Sequence, residues 1–257
     1  MQIEDSHFEL RLACDDSDLR AAQRLRYQVF VEELGAGGDL VDHDARLERD
    51  RFDPHFDHLM LLDRRRDAED QVVGVYRMMR AEQARAAGQF YSEGEYDLEP
   101  LKSSDRSLME LGRSCVHSEY RGGIAMVHLW KGLSAFMTDH GVEVMFGVAS
   151  LKGTDPAALA APLSLLHHRH LAPAALRAQA RAPHGVAMDM IAPEDLDFVA
   201  AARGVPALIK AYLRIGGFVG QGAWIDRAFN CTDVCLIVDT AVISEKHRAF
   251  YAKGGAA

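Results

Sequence analysis

Glu110 and Arg113 stand three residues apart in the apolar run Glu110-Leu-Gly-Arg-Ser-Cys-Val116, and Arg121-Gly122-Gly123 follows a few residues later. A carboxylate can accept a proton from an amine, and an arginine is a permanent cation. A glycine turn that feeds a helix aims unpaired N–H groups at an anion, and its missing Cβ atoms let the anion approach. Base, cation and phosphate cradle together suit group transfer from a phosphate-bearing donor. The same glycines would serve equally well if they only packed a helix on a sheet.

The elements around these residues read as a strand ending at Val116, a turn, and a helix with apolar positions at Met126, Trp130, Leu133 and Met137. Upstream, Phe8–Ala13 alternates as a half-buried strand does. Asp15-Asp16-Ser17 then supplies N-cap chemistry for a helix facing inward with Leu19, Ala22, Leu25 and Val29. Residues 35–57 form a polar stretch crowded with Asp39, Asp42, Asp44, Glu48, Asp50, Asp53 and Asp57, anchored by Leu47, Phe52 and Phe56. A loop of this length in a compact domain is functional or disordered, and the anchors predict order. His58–Asp63 and Val72–Met79 predict a hairpin, and Val142–Val148 a further strand. Pro206–Ile215 predicts an amphipathic helix stopped by Gly216-Gly217, followed by strands at Phe218-Val219 and Asp233–Val238. The order of elements predicts an α/β fold, a mixed sheet flanked by helices, in one domain over residues 1–257 with a helical insertion at about 155–205.

With 48% hydrophobic residues in 257, the chain has ample material for a core. No apolar run approaches the ~18 residues that cross a bilayer, and the start lacks the basic and apolar parts of a secretion signal. A cytoplasmic location is expected. A net charge of −9 argues against nucleic acid as a partner. The four cysteines, at 14, 115, 231 and 235, are too scattered for a disulfide framework or a zinc pair, so free thiols are expected.

Three further groups invite chemistry. Cys115, beside a transferring acyl group, could form an acyl-enzyme, but no base stands next to it and buried cysteines are common, so direct transfer is expected. His167-His168-Arg169-His170 lacks a carboxylate, and only His167 and His170 share a helix face, so no metal is expected. Between Pro156 and Met188 there is no Asp or Glu, while Arg169, Arg177, Arg181 and four histidines are present. With Leu163, Leu165, Leu166 and Leu171 as apolar surface, this segment would dock an acidic acyl carrier protein or make peripheral contact at the inner membrane face. An inserted helical pair packed on the core is the alternative.

These features resemble the GNAT acyltransferase superfamily, in which the two central strands splay apart and leave backbone N–H groups for a thioester carbonyl. The superfamily turn is Arg/Gln-x-x-Gly-x-Gly/Ala. Arg121-Gly-Gly-Ile-Ala125 is one residue shorter, which argues against the usual coenzyme A binding. The closer likeness is to the branch using acyl carrier protein, the acyl-homoserine-lactone synthases. Their pattern falls on Arg26, Phe30, Glu48, Asp50, Asp53, Arg77, Glu110 and Arg113. Their tryptophan falls near Ala36 and the serine of their Glu-x-Ser-Arg is Gly112. The L-ornithine N-acyltransferases are more similar still, through Leu25-Arg-Tyr-Gln-Val-Phe30, Glu110–Val116 and Ala211-Tyr-Leu-Arg-Ile-Gly-Gly217.

The resemblance implies Glu110 and Arg113 as catalytic, Arg26, Phe30, Asp50, Asp53 and Arg77 as substrate-binding, and Val116, Arg121, Gly122 and Gly123 as holding the donor's phosphopantetheine. It implies no resident cofactor, a 3-hydroxyacyl-phosphopantetheine on acyl carrier protein as donor, and the α-amine of L-ornithine as acceptor. Rival readings are another acceptor such as glutamine or glycine, a lactone synthase, or an idle fold that only binds carrier protein. Glu110 and Arg113 could instead belong to a core ion network with Arg26, Arg77, Asp50 and Asp53.

Overall fold

The structure, a computed structural model, describes residues 2–5, 7–38 and 41–243; Asp39 of the acidic stretch lies outside the described residues. The chain divides into two compact units, one of residues 1–87, 111–142 and 244–257, the other of residues 88–110 and 143–243.

In the first unit β1 (Gln2–Asp5) and β2 (Phe8–Leu12) pair antiparallel, and α1 (Asp16–Arg26) follows. The Asp15 carboxylate accepts the N–H groups of Ser17 and Asp18, so the acidic run caps the helix as expected. Past Arg26 the helix widens into a π-helical stretch, Tyr27–Glu33. This stretch buries Val29 and packs half-buried Phe30 against a cluster holding Ala22, Leu25, Met60, Leu62, Val75 and Cys115. The acidic stretch is pinned by buried Leu47, Phe52 and Phe56. The expected hairpin is β3 (Asp57–Asp63) and β4 (Val72–Arg80), followed by α2 (Ala81–Ala87). Helices cover both faces of β3 and β4, which is why these strands read as unbroken apolar runs rather than alternating ones.

The second unit opens with β5 (Tyr96–Asp97) and α3 (Glu99–Lys102). Strand β6 (Leu108–Val116) begins in this unit and continues into the first, where α4 (Ala125–Asp139) follows it. The buried side of α4 is Ala125, His128, Leu129, Trp130, Gly132, Leu133 and Phe136, while Met126 and Met137 are only half-buried. The expected stripe is therefore displaced around the helix.

In the second unit β7 (Val144–Lys152) runs four residues beyond the expected end, because Ser150 and Lys152 alternate outward with buried Ala149 and Leu151. Its parallel ladder with β6 is Leu108↔Val144, Met109↔Met145 and Glu110↔Phe146. Next come α5 (Ala160–His170), β8 (Gln179–Ala180), β9 (Gly185–Val186), α6 (Phe198–Gly204) and α7 (Ala207–Arg214), then β10 (Phe218–Val219), β11 (Ala223–Asp226) and β12 (Cys231–Asp239). β12 lies antiparallel to β7 from Val144↔Asp239 to Lys152↔Cys231, and β11, β9 and β10 extend that sheet. The glycine pair after α7 is a helix stop: Gly216 has φ +98°, and a Cβ on Gly217 would fall 2.7 Å from the Tyr212 carbonyl.

One expectation about surface is corrected here. Leu163, Leu165 and Leu166 are buried, because α5 turns its leucines inward and packs against α6, so they offer no apolar face to a membrane. Among the described residues no helix is long and apolar enough to cross a membrane.

Candidate active site

The first unit gathers three guanidiniums and three carboxylates in its core. Arg26 comes from the last turn of α1, Arg77 from β4 and Arg113 from β6, and the acidic stretch brings Glu48, Asp50 and Asp53 to them. Arg26 Nε donates to Glu48 Oε2 at 2.5 Å and its Nη1 to Asp53 Oδ1 at 2.6 Å. Arg77 Nη1 donates to both Asp50 Oδ2 and Asp53 Oδ1 at 2.7 Å, with its guanidinium 4.1 Å from the Phe56 ring centre. Arg113 Nε reaches Glu48 Oε1 at 3.1 Å, and its Nη2 lies 3.3 Å from Asp50 Oδ2.

Charges in this network balance, as burial demands. Burial opposes ionisation of Glu48, Asp50 and Asp53, yet the neighbouring guanidiniums outweigh it and hold all three carboxyls below their ordinary range. Gln23 Nε2 adds a bond to Asp53 Oδ2 at 2.9 Å, and His58 Nε2 donates to the Asp53 carbonyl at 3.0 Å. Burial pushes His58 down to about 4, so it is neutral at physiological pH. The sequence flagged neither Gln23 nor His58, because a glutamine on a helix and a histidine opening a strand carry no spacing signal.

Arg113 holds φ +47°, in the left-handed region that a side chain rarely adopts, inside a strand and directly after Gly112. Its ion pairs to Glu48 and Asp50 fix the side chain that such a backbone would otherwise let swing.

Glu110 lies in the second unit, 1% exposed, on the last β6 residue that pairs with β7. Its Oε2 accepts the Tyr91 N–H at 2.7 Å and its Oε1 the Ser92 N–H at 2.6 Å, with the Ser92 hydroxyl also donating to Oε1. The carboxylate thus ties down the first turn of the 3-10 segment Tyr91–Gly94, with two backbone N–H groups and a hydroxyl among its donors. Sequence reasoning could not find these partners, since backbone N–H groups have no residue identity.

In the first unit Val116 closes β6, buried, and its carbonyl accepts Arg121 Nε at 2.9 Å. Arg121 Nη2 lies 2.7 Å from Glu33 Oε2, Gly122 has φ +74°, and α4 starts at Ala125 with no side-chain cap on its first N–H groups. An uncapped start on a helix of 15 residues leaves donors for an anion. Arg121, Gly122 and Gly123 lie in the turn that leads into α4, and Val116 ends the strand before it. Cys115, buried among apolar neighbours, has its thiol pushed up to about 12 by burial, a poor nucleophile at neutral pH. Of the basic segment, Arg169 lies 4.3 Å over the Phe198 ring, Arg177 Nε donates to the Ala172 carbonyl at 2.7 Å, and Arg169 and Arg181 are exposed.

Comparison with known proteins joins these observations. A family model described as an acetyltransferase (GNAT) domain matches residues 25–131, the span holding the ion network, Glu110 and the glycine turn. The crystal structure of the AHL synthase LasI superposes with a TM-score of 0.52 at 14% identity, covering 98% of each chain, a likeness of fold alone. The chain is 42% identical to an L-ornithine N(alpha)-acyltransferase of Brucella abortus, over 95% of this chain and 88% of that one. It is 55% identical to one of Rhodobacter capsulatus, over 96% of this chain and 95% of the other. On that identity, sustained over almost the whole length, the chain belongs to the L-ornithine N(alpha)-acyltransferase family, with the GNAT match in its first half.

Proposed function

We propose that this chain moves a 3-hydroxyacyl group from the phosphopantetheine arm of acyl carrier protein to the α-amine of L-ornithine. The observation that carries the reading is the 55% identity, end to end, with a relative of that name. In the reaction the amine nitrogen attacks the thioester carbonyl carbon, a tetrahedral oxyanion forms, the C–S bond breaks, and the carrier's thiol leaves with a proton. Three requirements follow: a proton acceptor, an oxyanion donor and alignment of two substrates.

Glu110 takes the amine's proton, directly or through one water. Its tight hold by Tyr91 and Ser92 keeps it in one rotamer and supports this role. The oxyanion is met by backbone N–H groups of β7 past Phe146, the last residue in its parallel ladder with β6. Asp50 and Arg113 are the most exposed members of the ion network, with side chains 17% and 11% exposed. They answer the acceptor's ammonium and carboxylate, respectively. Arg26, Asp53 and Arg77 hold those two in place, half-buried Phe30 lends the acceptor an apolar wall, and Val116, Arg121, Gly122 and Gly123 take the phosphate of the donor arm. Exposed Arg169 and Arg181, in the acid-free segment, dock the acidic carrier protein.

The test is purified protein with 3-hydroxyacyl carrier protein and a panel of ornithine, lysine, glutamine and glycine, read by mass spectrometry. N-acylated ornithine as the main product is expected. Acylation of glutamine or glycine instead, or carrier binding without product, overturns the assignment.

A further inference from the structure

A pocket of about 180 Å³ opens in the first unit between the outer face of α1, the loop joining β3 to β4, and the end of β6. Sites for drug-sized ligands run to about 300–1,000 Å³, so this one excludes a nucleotide or a pantetheine arm and admits a molecule of amino-acid size. Its floor is Leu25, Val72 and the pair Gln28–His117, and its rim is charged.

Two rim arginines are already committed: Arg46 Nη2 reaches Glu32 at 2.7 Å and Arg66 Nη1 reaches Glu119 at 3.0 Å. The side chains of Arg24, Glu69 and Asp70 make no hydrogen bond or ion pair among the described residues. Their distribution is polar in the geometric sense. Arg24 and Gln28 lie one turn apart on the helix wall, and Glu69 and Asp70 form the loop wall.

His117 sets the orientation of Gln28. Its Nδ1 accepts the Glu119 N–H at 3.3 Å, and burial lowers its affinity for a second proton, so the neutral ring carries its hydrogen on Nε2. That Nε2 lies 3.1 Å from Gln28 Nε2. Two N–H donors cannot bond one another, so the amide is assigned the other way round, with its oxygen on His117 and its NH2 group toward the pocket.

We infer that this pocket binds a basic amino acid, its α-carboxylate on the helix wall between Arg24 and the Gln28 NH2 and its ammonium groups against Glu69 and Asp70. Among the described residues, one cation and two anions of the pocket stand without a side-chain partner, the charge complement of a molecule with one carboxylate and two ammoniums. A phosphate is disfavoured, since it would meet two carboxylates and one uncommitted guanidinium. The inference stands on the pocket's charge layout and does not require ornithine to be the acceptor of the acyl group.

The test is 15N-amide NMR on the full chain titrated with L-ornithine, L-lysine, L-norvaline and putrescine. Saturable shifts at Leu25, Gln28, Val72 and His117 are expected with ornithine and lysine. The same shifts should need at least tenfold more norvaline, which lacks the distal ammonium, or putrescine, which lacks the carboxylate. Arg24→Gln and the double variant Glu69→Gln/Asp70→Asn, all at exposed positions, should each weaken ornithine tenfold or more, and Arg24→Lys should restore most of it. Absence of shifts at these four residues, or an unchanged titration in both variants, overturns the inference. A chain that shows the shifts yet fails to acylate ornithine would sink the functional proposal and leave the pocket standing. One that acylates ornithine without them would do the reverse.

Discussion

Arg113 adopts a left-handed backbone angle of +47° while its Nε donates to Glu48 Oε1 at 3.1 Å, so a strained residue and the tether that keeps it there are one side chain. Glu48 in turn answers two guanidiniums, those of Arg26 and Arg113. The strand that carries Arg113 is thus shaped by the acidic stretch, some sixty residues earlier in sequence.

Glycine would relieve the angle and alanine would not, although both leave Glu48 short of one cation. Arg113→Ala is expected to lose roughly 3–5 kcal/mol of stability, the range for breaking a buried pair. Arg113→Gly should lose about 1 kcal/mol less, the cost of the left-handed angle for a side chain. Urea unfolding midpoints compare them; equal losses would show that the backbone there bears no strain.

Glu110→Gln places an amide where two backbone N–H groups and a hydroxyl all donate. With Glu110 as proton acceptor, kcat is expected to fall 10²–10⁴-fold with KM within a few-fold. Ser92→Ala keeps both backbone bonds and should cost less than tenfold. Steady-state kinetics on folded variants, checked by circular dichroism, decides; a Glu110→Gln enzyme within fivefold of wild type would leave the residue a purely structural anchor.

Cys115→Ala removes a buried sulfur from the cluster under α1 and should cost about 1–2 kcal/mol by cavity formation. Activity should remain within a few-fold. A rapid-quench experiment with carrier-bound acyl donor and no amine should find no acyl-enzyme, whereas a stoichiometric burst lost in Cys115→Ala would establish a covalent route.

His58 has its folded value lowered to about 4 from the ordinary 6.5. Between those values the unfolded chain binds more protons, so the stability contribution is complete above pH 6.5 and is lost as pH falls toward 4. The full difference is on the order of 3 kcal/mol. Asp53 and Glu48, whose folded values are depressed, add their own loss only below the ordinary carboxylate range. His58→Gln should therefore flatten the dependence of urea stability on pH between 6.5 and 4.5; an unchanged slope there would assign it to other groups.

Much of this was written in residue types. Asp15 as cap, the hairpin of β3 and β4, the glycine stop after Tyr212 and the pairing of Arg26 and Arg77 with Asp50 and Asp53 follow from chemistry that side chains advertise. What stayed hidden depends on backbone or on facing. Tyr91 and Ser92 hold Glu110 through N–H groups that every residue possesses. The leucines of α5 looked like surface because an acid-free segment reads alike whether its apolar side turns in or out. The extension of β7 to Lys152 is masked by two polar residues that simply point outward.

The wide helical turns from Tyr27 to Glu33 have a last consequence for how this chain tolerates change. An ordinary helix advances about 100° per residue, and an i→i+5 turn holds one residue more than an i→i+4 turn, so deleting one residue within that stretch would let it close to regular geometry with Glu33 still turned toward Arg121. Adding a residue would instead rotate everything beyond it by about that angle and carry Glu33 off Arg121. Loss of one residue here should be forgiven more readily than gain of one, so the surplus residue is a feature the segment can surrender.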